Sequence, residues 1–457
     1  MLNRRDLLAL AGAGAAAALV RPATAAGIDG VTTAAMRGSI DATEFGALPG
    51  AMDDQSKTFA RMLDIASDRD TPLFLPPGVY IVSNLTLPRR VRLTGVPGAS
   101  RIIYGGDGHL LIGEDAERVE LSGIVFDGAN RWLRDDALGL IDLRRTRHLA
   151  IDNCEIVGSG KNGIALERSA GRIERTAVSG AADAGIYSVE ASGLSITANT
   201  VSDCANGGIL VHRWQAADDG TIVSGNRVSR IAARNGGTGQ HGNGINVFRA
   251  ANVIVSNNIV SDLAFSAIRA NSASNIQIAN NTCIGSGETG IYSEFSFEGA
   301  VINGNIVDGA ANGISIVNFN EGGRLAICSA NIVRNLVNKG PYEQEPPGFG
   351  VGISVEADCA ATGNVVENVP LYGLQLGWGE FMRNVVATGN VIRKAGTGII
   401  VSVVEGTGSA VISDNVIDQV SDGAVVGYRW AEKATGDLAL EGAGGHANLT
   451  IERNRLS

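Results

Sequence analysis

An all-β chain wound into near-identical stacked turns is the fold class this sequence predicts, and three observations predict it. Between residues 163 and 424 a small residue, an aliphatic residue and a short apolar run recur eleven times. The series is Gly163-Ile164, Gly185-Ile186, Gly208-Ile209, Gly244-Ile245, Ala267-Ile268, Gly290-Ile291, Gly313-Ile314, Gly352-Ile353, Gly373-Leu374, Gly398-Ile399 and Gly423-Ala424, and all but two of its steps are 21 to 25 residues long. A second phrase, apolar-x-x-Asn-x-apolar, alternates with the first and sets Asn199, Asn226, Asn258, Asn281, Asn305, Asn331, Asn364, Asn390, Asn415 and Asn454 at one repeat position. The apolar runs are short, alternate with polar residues and are punctuated by Gly, Asn, Asp and Ser, the pattern of strands rather than helices. A fixed period in the low twenties means stacked copies of one unit, so every other motif is read as a position on a rung.

One such unit cannot bury its apolar face alone, whereas stacked units share a continuous core and pair their backbone groups. A parallel β-helix fits, with about 22 residues per rung and rungs about 4.8 Å apart. Leucine-rich repeats have a similar period, but their leucine spacing and helical segment are absent, and a propeller blade needs roughly 40 residues. The recurrent Asn suits a sharp turn between strands, because its amide bonds nearby backbone and tolerates a left-handed conformation. Stacked from rung to rung, such side chains form an amide ladder. Ten Asn at one repeat position are therefore structural.

In chain order, Asn3-Arg4-Arg5-Asp6-Leu7-Leu8 opens the sequence, followed by an Ala-rich apolar stretch to Val20 and Ala23-Thr24-Ala25. A charged end, a short apolar segment and a small-residue cleavage site read as an export signal over residues 1–25 rather than a membrane span. The paired arginines resemble the twin-arginine signal, which makes that export machinery the expected partner during biogenesis and the periplasm or the exterior the expected location. Removing this segment takes away Arg4, Arg5, Arg21 and Asp6, so the formal charge falls from −10 to −12. An acidic body of this kind is a poor nucleic-acid binder. No other stretch is long enough to cross a membrane. Cys154, Cys204, Cys283, Cys328 and Cys359 are odd in number, lack CxxC spacing and occupy core-like repeat positions, so they read as buried thiols.

Residues 26–104 differ from the repeats. Glu44-Phe45-Gly46-Ala47 and Asp53-Asp54-Gln55 precede a helix-like stretch from Ser56 to Ala66, and then come Leu73-Phe74-Leu75-Pro76-Pro77-Gly78-Val79-Tyr80 and Val91-Arg92-Leu93-Thr94-Gly95. This order closely resembles the opening segment of the pectate-lyase-like superfamily, which includes phage tailspikes and many polysaccharide lyases and hydrolases. The resemblance implies a right-handed parallel β-helix of about a dozen rungs over residues 105–457, with a helical cap over its first rung, whose strand edges would otherwise stand unpaired. With its export signal the chain also resembles twin-arginine-translocated bacterial β-helix repeat proteins whose activity is not established. Such a resemblance carries over a fold and not an activity. The Tyr428–Asn448 stretch interrupts the last rung and reads as a terminal cap or loop.

The two anomalous steps locate a candidate site. Ile209 to Ile245 spans 36 residues and Ile314 to Ile353 spans 39, and in both the extra residues enter before the Gly-Ile strand. The loops Arg230–Asn243 and Asn335–Gly350 should therefore leave one edge of the coil, four rungs or about 19 Å apart. They should wall a groove floored by the rungs of Ile268, Ile291 and Ile314, because long loops on a rigid scaffold are where binding is placed. With the Ile pointing inward, positions one and three after it face out. This gives Asn246 and Phe248, Arg269 and Asn271, Tyr292 and Glu294, Ser315 and Val317, and Ser354 and Glu356. Tyr187, His212, Arg213 and Trp214 lie to the N-terminal side, the loops add His241, Tyr342, Glu343 and Glu345, and Trp378 lies to the C-terminal side. Aromatic faces that stack on sugars beside polar tips that fix hydroxyls make a surface suited to a polysaccharide or cell-envelope glycan. The competing reading is a solvated strand face.

A lyase or epimerase acting on uronates must neutralise a carboxylate, for which Arg269 or Asn271 is the candidate. It must also remove a proton, for which Tyr292, His241 or His212 is available. Inverting hydrolysis needs carboxyls roughly 6.5–9.5 Å apart, and Glu294 and Glu356, two rungs apart at about 10 Å, stand slightly too far. Asp218-Asp219, Gln240-His241-Gly242 and Ile268-Arg269 have a partial likeness to polygalacturonase motifs. However, Gln240 replaces the first Gly, the basic motif is incomplete and the Asp pair looks like a turn; the alginate-epimerase Asp-Pro-His signature is absent. Arg269, Tyr292, His241 and Glu294 are thus the catalytic candidates, with lyase-like chemistry leading. Tyr187, His212, Arg213, Trp214, Asn246, Asn271, Glu356 and Trp378 are the binding candidates. A non-catalytic glycan-binding or envelope scaffold stands level with the enzyme. No cofactor is implied; acidic loop residues are able to bind Ca²⁺, but no dense Asp cluster requires it. No oligomeric state follows from the sequence.

Overall fold

A computed structural model describes residues 38–343 and 346–457. The export signal read in residues 1–25, the start of the segment after it and Glu345 lie outside the described residues.

Every rung turns three corners. Ile268–Asn271 lies on the first face and Ile276–Ala279 on the second. Thr282–Glu294 then begins on the third face and bends into the first face of the next rung. Each strand is short because a turn residue ends it, and each pairs in parallel with its counterpart one rung on. The result is an all-β, right-handed parallel solenoid of about 14 turns. That exceeds the expected dozen because the irregular early strands already stack: Ile141 pairs with Leu111 on one side and Ile164 on the other.

The inward row of the first face runs through Ile164, Ile186, Ile209, Ile245, Ile268, Ile291, Ile314, Ile353, Leu374 and Ile399, each in register with the next. The repeat places them correctly down to the last member, where Ile399 pairs with Val425 rather than Ala424. A register shift between Ala395 and Thr397 absorbs the extra residue. These side chains join one hydrophobic core that extends from Ala42 to Leu449. All five cysteines are free and buried in that core or beside it.

The asparagines form the ladder along the corner between the second and third faces. From Asn199 to Asn454 each Nδ2 donates to the next Oδ1 at 2.9 to 3.0 Å. The left-handed residue of this corner is not the Asn but the one before it, as at Ala198, Gly225, Asn257, Gly304 and Ala330. The Asn itself keeps an ordinary backbone so that its side chain points into the stack.

At the start of the coil, the helix Ser56–Asp68 buries Phe59, Met62, Leu63 and Ala66, the i, i+3, i+4, i+7 face of a helix. It packs on the strands Leu73–Phe74, Gly78–Val82, Leu85–Thr86 and Arg90–Thr94, with the Phe59 and Tyr80 rings 5.6 Å apart. At the other end, Glu432–Asp437 turns back to pair antiparallel with the end of Val416–Arg429, and the Asp437 carboxylate accepts the backbone N–H groups of Ala424 and Val425. The Tyr428–Asn448 stretch thus covers the last first-face strand.

Candidate functional site

The outward positions of the first face stack as alternation requires. Leu210, Asn246, Arg269, Tyr292, Ser315, Ser354 and Gln375 are register partners in one row. His212, Phe248, Asn271 and Glu294 form a second row beside it. Both long loops join a third-face strand to a first-face strand, so they do share an edge. The face between them is not a solvated surface: Asn246 is 7%, Arg269 9% and Glu294 2% exposed.

Arg269 organises this region. Its Nε donates to Glu294 Oε1 at 2.6 Å, its Nη1 reaches Glu288 Oε2 at 3.4 Å, and its guanidinium lies 5.1 Å from the Tyr292 ring centroid. Asn271 Nδ2 also donates to Glu294 Oε1, at 2.9 Å. Glu288 accepts from the Ser266 hydroxyl and from Tyr342 OH, each at 2.8 Å. Burial alone would lower the Arg269 guanidinium, but Glu294 and Glu288 hold it above its ordinary value. Burial raises the Glu294 carboxyl in spite of Arg269, and burial with the nearby Glu294 and Glu288 raises the Tyr292 phenol. Glu288 escaped sequence reading because it lies in the corner between Ser286 and Thr289, where the register slips. A carboxylate between Gly287 and Gly290 looks like ordinary turn polarity.

A pocket of about 420 Å³ opens over this cluster. Asn246, Arg269 and Asn271 lie on its floor, His212 and Phe248 flank it, and Phe295 and the loop residues Thr238, Gly239 and Gln240 complete the wall. Gly239, at φ +126, presses on Arg269 so closely that an added Cβ would collide with the guanidinium. The His212 ring meets Tyr187 at 5.5 Å and Phe248 at 5.6 Å, both edge-on, and burial pushes its imidazole down to about 4, so it is neutral at neutral pH. The pocket thus spans the rungs of Ile209, Ile245, Ile268 and Ile291, displaced toward the N-terminus from the floor expected at Ile268, Ile291 and Ile314. The reason is the second loop. It folds back along the coil, so that Tyr342 stacks on Phe265 at 6.3 Å and packs on Phe349 at 5.5 Å, occupying the part of the groove it was expected to wall.

Other candidates are held elsewhere. Arg213 pairs with Glu190 at 2.7 Å and lies 3.6 Å from Asp219, while the Trp214 ring lies under Arg168 at 4.7 Å; both brace a corner beside the pocket. Asp219 accepts the Thr221 backbone N–H at 3.2 Å, the turn expected of that Asp pair. His241 is half-buried on the first loop, and among the described residues no hydrogen bond or ring contact joins it to Arg269 or Glu294. Glu356, on the rung of Ile353, accepts the Phe319 backbone N–H at 2.7 Å, and burial raises its carboxyl to about 7. Trp378 packs edge-on against Trp430 at 5.8 Å, four rungs or about 19 Å beyond Arg269. Among the described residues no group of three or more His, Cys, Asp or Glu is placed to hold a metal ion. No helix among them is long and apolar enough to cross a membrane. A depression of about 700 Å³ on the second face is lined by aliphatic side chains such as Val301 and Ile327 with Asn275, Gln277, Asp358 and Asn384 among them.

The family described as right-handed beta helix region matches residues 122–322 and 216–390. No curated protein matches the sequence. Among solved structures, the chain is similar to the A-module of the mannuronan C-5 epimerase AlgE6 of Azotobacter vinelandii. The two are 14% identical with a TM-score of 0.50, over 92% of this chain and 99% of that one. It is also similar to the catalytic unit of the GH87 α-1,3-glucanase of Streptomyces thermodiastaticus, at 14% identity and a TM-score of 0.51, over 92% of this chain and 69% of that one. Likeness at such identities bears out the β-helix fold expected from the opening segment and the repeats.

Proposed function

We propose, for a chain that belongs to the right-handed β-helix family, that its first face binds a polysaccharide or cell-envelope glycan in the pocket over Arg269. The observation that carries this reading is the pocket itself. The Asn246 and Asn271 amides and the Arg269 guanidinium, on rigid strands, lie beneath a loop that adds Thr238 and Gln240, and the Phe248 and Phe295 rings border them. Small-molecule sites are built this way, with apolar and aromatic walls and a few placed polar groups. Two structures of the same fold, named for a mannuronan epimerase and an α-1,3-glucanase, act on polysaccharides, which supports the substrate class.

Binding is favoured over turnover because the charged groups are engaged with one another. Glu288 and Glu294 hold Arg269 from below, and neither borders the pocket. Lyase-like chemistry would need Arg269 or Asn271 free to neutralise a carboxylate and Tyr292, His241 or His212 placed as a base. Tyr292 is a poor base once burial has raised it, His241 stands apart, and His212, though it borders the pocket, is a weak base because burial pushes it down to about 4. One observation keeps catalysis as the second reading: a carboxyl raised by burial, as Glu294 is, suits a general acid.

The same reading assigns residues 1–25 to a twin-arginine-type export signal, residues 26–104 to a capping segment and first strands, and residues 105–457 to the repeats. The helix Ser56–Asp68 then serves as the cap, and the protein works in the periplasm or outside the cell. The test is a glycan panel on the mature protein that scores retention and product release together. Retention without product is the expected outcome. Shortened or unsaturated products that vanish in Glu294→Gln would establish the enzymatic reading, and no retention of any glycan would sink both.

A further inference from the structure

We infer that the pocket over Arg269 takes a neutral sugar unit, rich in free hydroxyls and without a carboxylate. This rests on the glycan reading and names its substrate class.

Charge is the first ground. Among the described residues Arg269 is the one cationic side chain bordering the pocket, and Glu294 and Glu288 already occupy its Nε and Nη1. His212 adds no charge, because burial keeps its imidazole neutral. The remaining polar side chains, Thr238, Gln240, Asn246 and Asn271, are uncharged. A uronate placed here would meet one guanidinium shared with two carboxylates, and desolvating its charge would go uncompensated. A neutral ring avoids that cost.

Unmet hydrogen bonding is the second, independent ground. The Asn246 side chain is 7% exposed, yet its Oδ1 has no hydrogen-bond partner, and the His212 Nε2 is likewise buried and unpartnered. Buried polar atoms are nearly always paired; ten other side-chain atoms among the described residues also lack a hydrogen-bond partner, but these two sit on neighbouring rungs of one pocket, where a small side-chain rotation would bring them to a ligand. An amide oxygen only accepts, and a neutral imidazole offers one donor and one acceptor. Hydroxyls donate and accept, and therefore satisfy both. Rotation of the Asn246 amide about its last bond presents its oxygen or its NH₂ to the sugar. Phe295 is 38% exposed, which leaves ring surface for the apolar side of a sugar, whereas the Phe248 ring is already covered by the Arg249 guanidinium at 4.7 Å.

The test is binding of the purified mature protein to a panel of neutral oligosaccharides (α- and β-linked glucans and chitin fragments) and polyuronates (pectate and alginate) of matched length, by calorimetry. At least one neutral series is expected to bind ten-fold or more tightly than either polyuronate. Asn246→Ala should weaken that binding about ten-fold. Phe295→Ala, on an exposed rim position where folding is not at stake, should weaken it as well. Glu294→Gln, which releases one side of Arg269, should narrow the preference by strengthening polyuronate binding. Preferential binding of pectate or alginate by the unaltered protein would overturn the inference while leaving the glycan reading intact. Neutral binding indifferent to both Asn246→Ala and Phe295→Ala would overturn the assignment to this pocket. Failure of every glycan to bind would remove the glycan reading itself.

Discussion

Glu294 and Glu356 on the first face and Glu288 in the corner before it are buried carboxyls, and their partners make them different groups. Glu294 and Glu288 share a guanidinium, whereas Glu356 has a backbone N–H and no cation within the hydrogen-bonding set. Burial therefore raises Glu356 from 4.5 to about 7. The folded chain then holds a proton that the unfolded chain has released, so the stability this group confers falls as pH rises from about 4.5 to 7 and is lowest above 7. The full difference is up to about 3 kcal/mol. Glu356→Gln keeps an oxygen to accept the Phe319 N–H and carries no charge. Its urea midpoint should match that of the unaltered protein near pH 5 and exceed it at pH 8; equal midpoints at both pH values would refute the assignment. At this scale the sequence was legible wherever a strand imposed period two, which is why Asn246, Arg269, Tyr292 and Glu294 were placed on one face. It was illegible at Glu288, because a corner has no period to reveal it. The sequence did mark His212, but its ring packing depends on Tyr187 and Phe248, 25 and 36 residues away.

Among elements, the asparagine corner does most to hold the rungs in register. Asn281 accepts from the Asn258 backbone N–H at 3.0 Å and its Nδ2 at 2.9 Å, and donates to the Val255 carbonyl and to Asn305 Oδ1, both at 3.0 Å. Asn281→Ala removes four bonds and leaves buried backbone groups unpaired, a loss of about 3 kcal/mol or more. Asn454, the last described member of the ladder, is only half-buried, so water can replace its partners. Asn454→Ala should cost about 1 kcal/mol. Comparable losses in urea unfolding of the two variants would show that the ladder does not act as a stack. The repeated Asn announced this ladder in the sequence. What the sequence did not announce is which residue takes the left-handed bend, because Ala198 and Ala330 carry it with no glycine to mark them. The loops behave alike: their lengths fixed the edge they leave, but the fold-back of Tyr342 onto Glu288 is a tertiary contact across 54 residues.

For the whole molecule, a solenoid's stability is close to a sum over rungs and the interfaces between neighbours, since each rung touches only those beside it. The register bears this out: Ile164 pairs with Ile141 before it and Ile186 after it. Removing residues 164–185, one full turn of 22, should therefore let Ile186 settle on Ile141 with every inward side chain still inward. The exposed Arg175–Asp152 pair and the Arg168 guanidinium over Trp214 are lost with that turn, and such exposed contacts contribute little. The pocket begins at His212 and lies beyond the excised rung, so glycan retention should survive along with a cooperative, somewhat lower unfolding midpoint. Removing only residues 164–174, half a turn, would bring the third-face strand Ala177–Ser179 onto the first face, reverse the inside-outside alternation and leave the corners unmatched. That variant should fail to give soluble folded protein. If both deletions fold, or both fail, the coil is not a stack of interchangeable turns, and the period read from Gly163-Ile164 to Gly398-Ile399 describes composition rather than assembly.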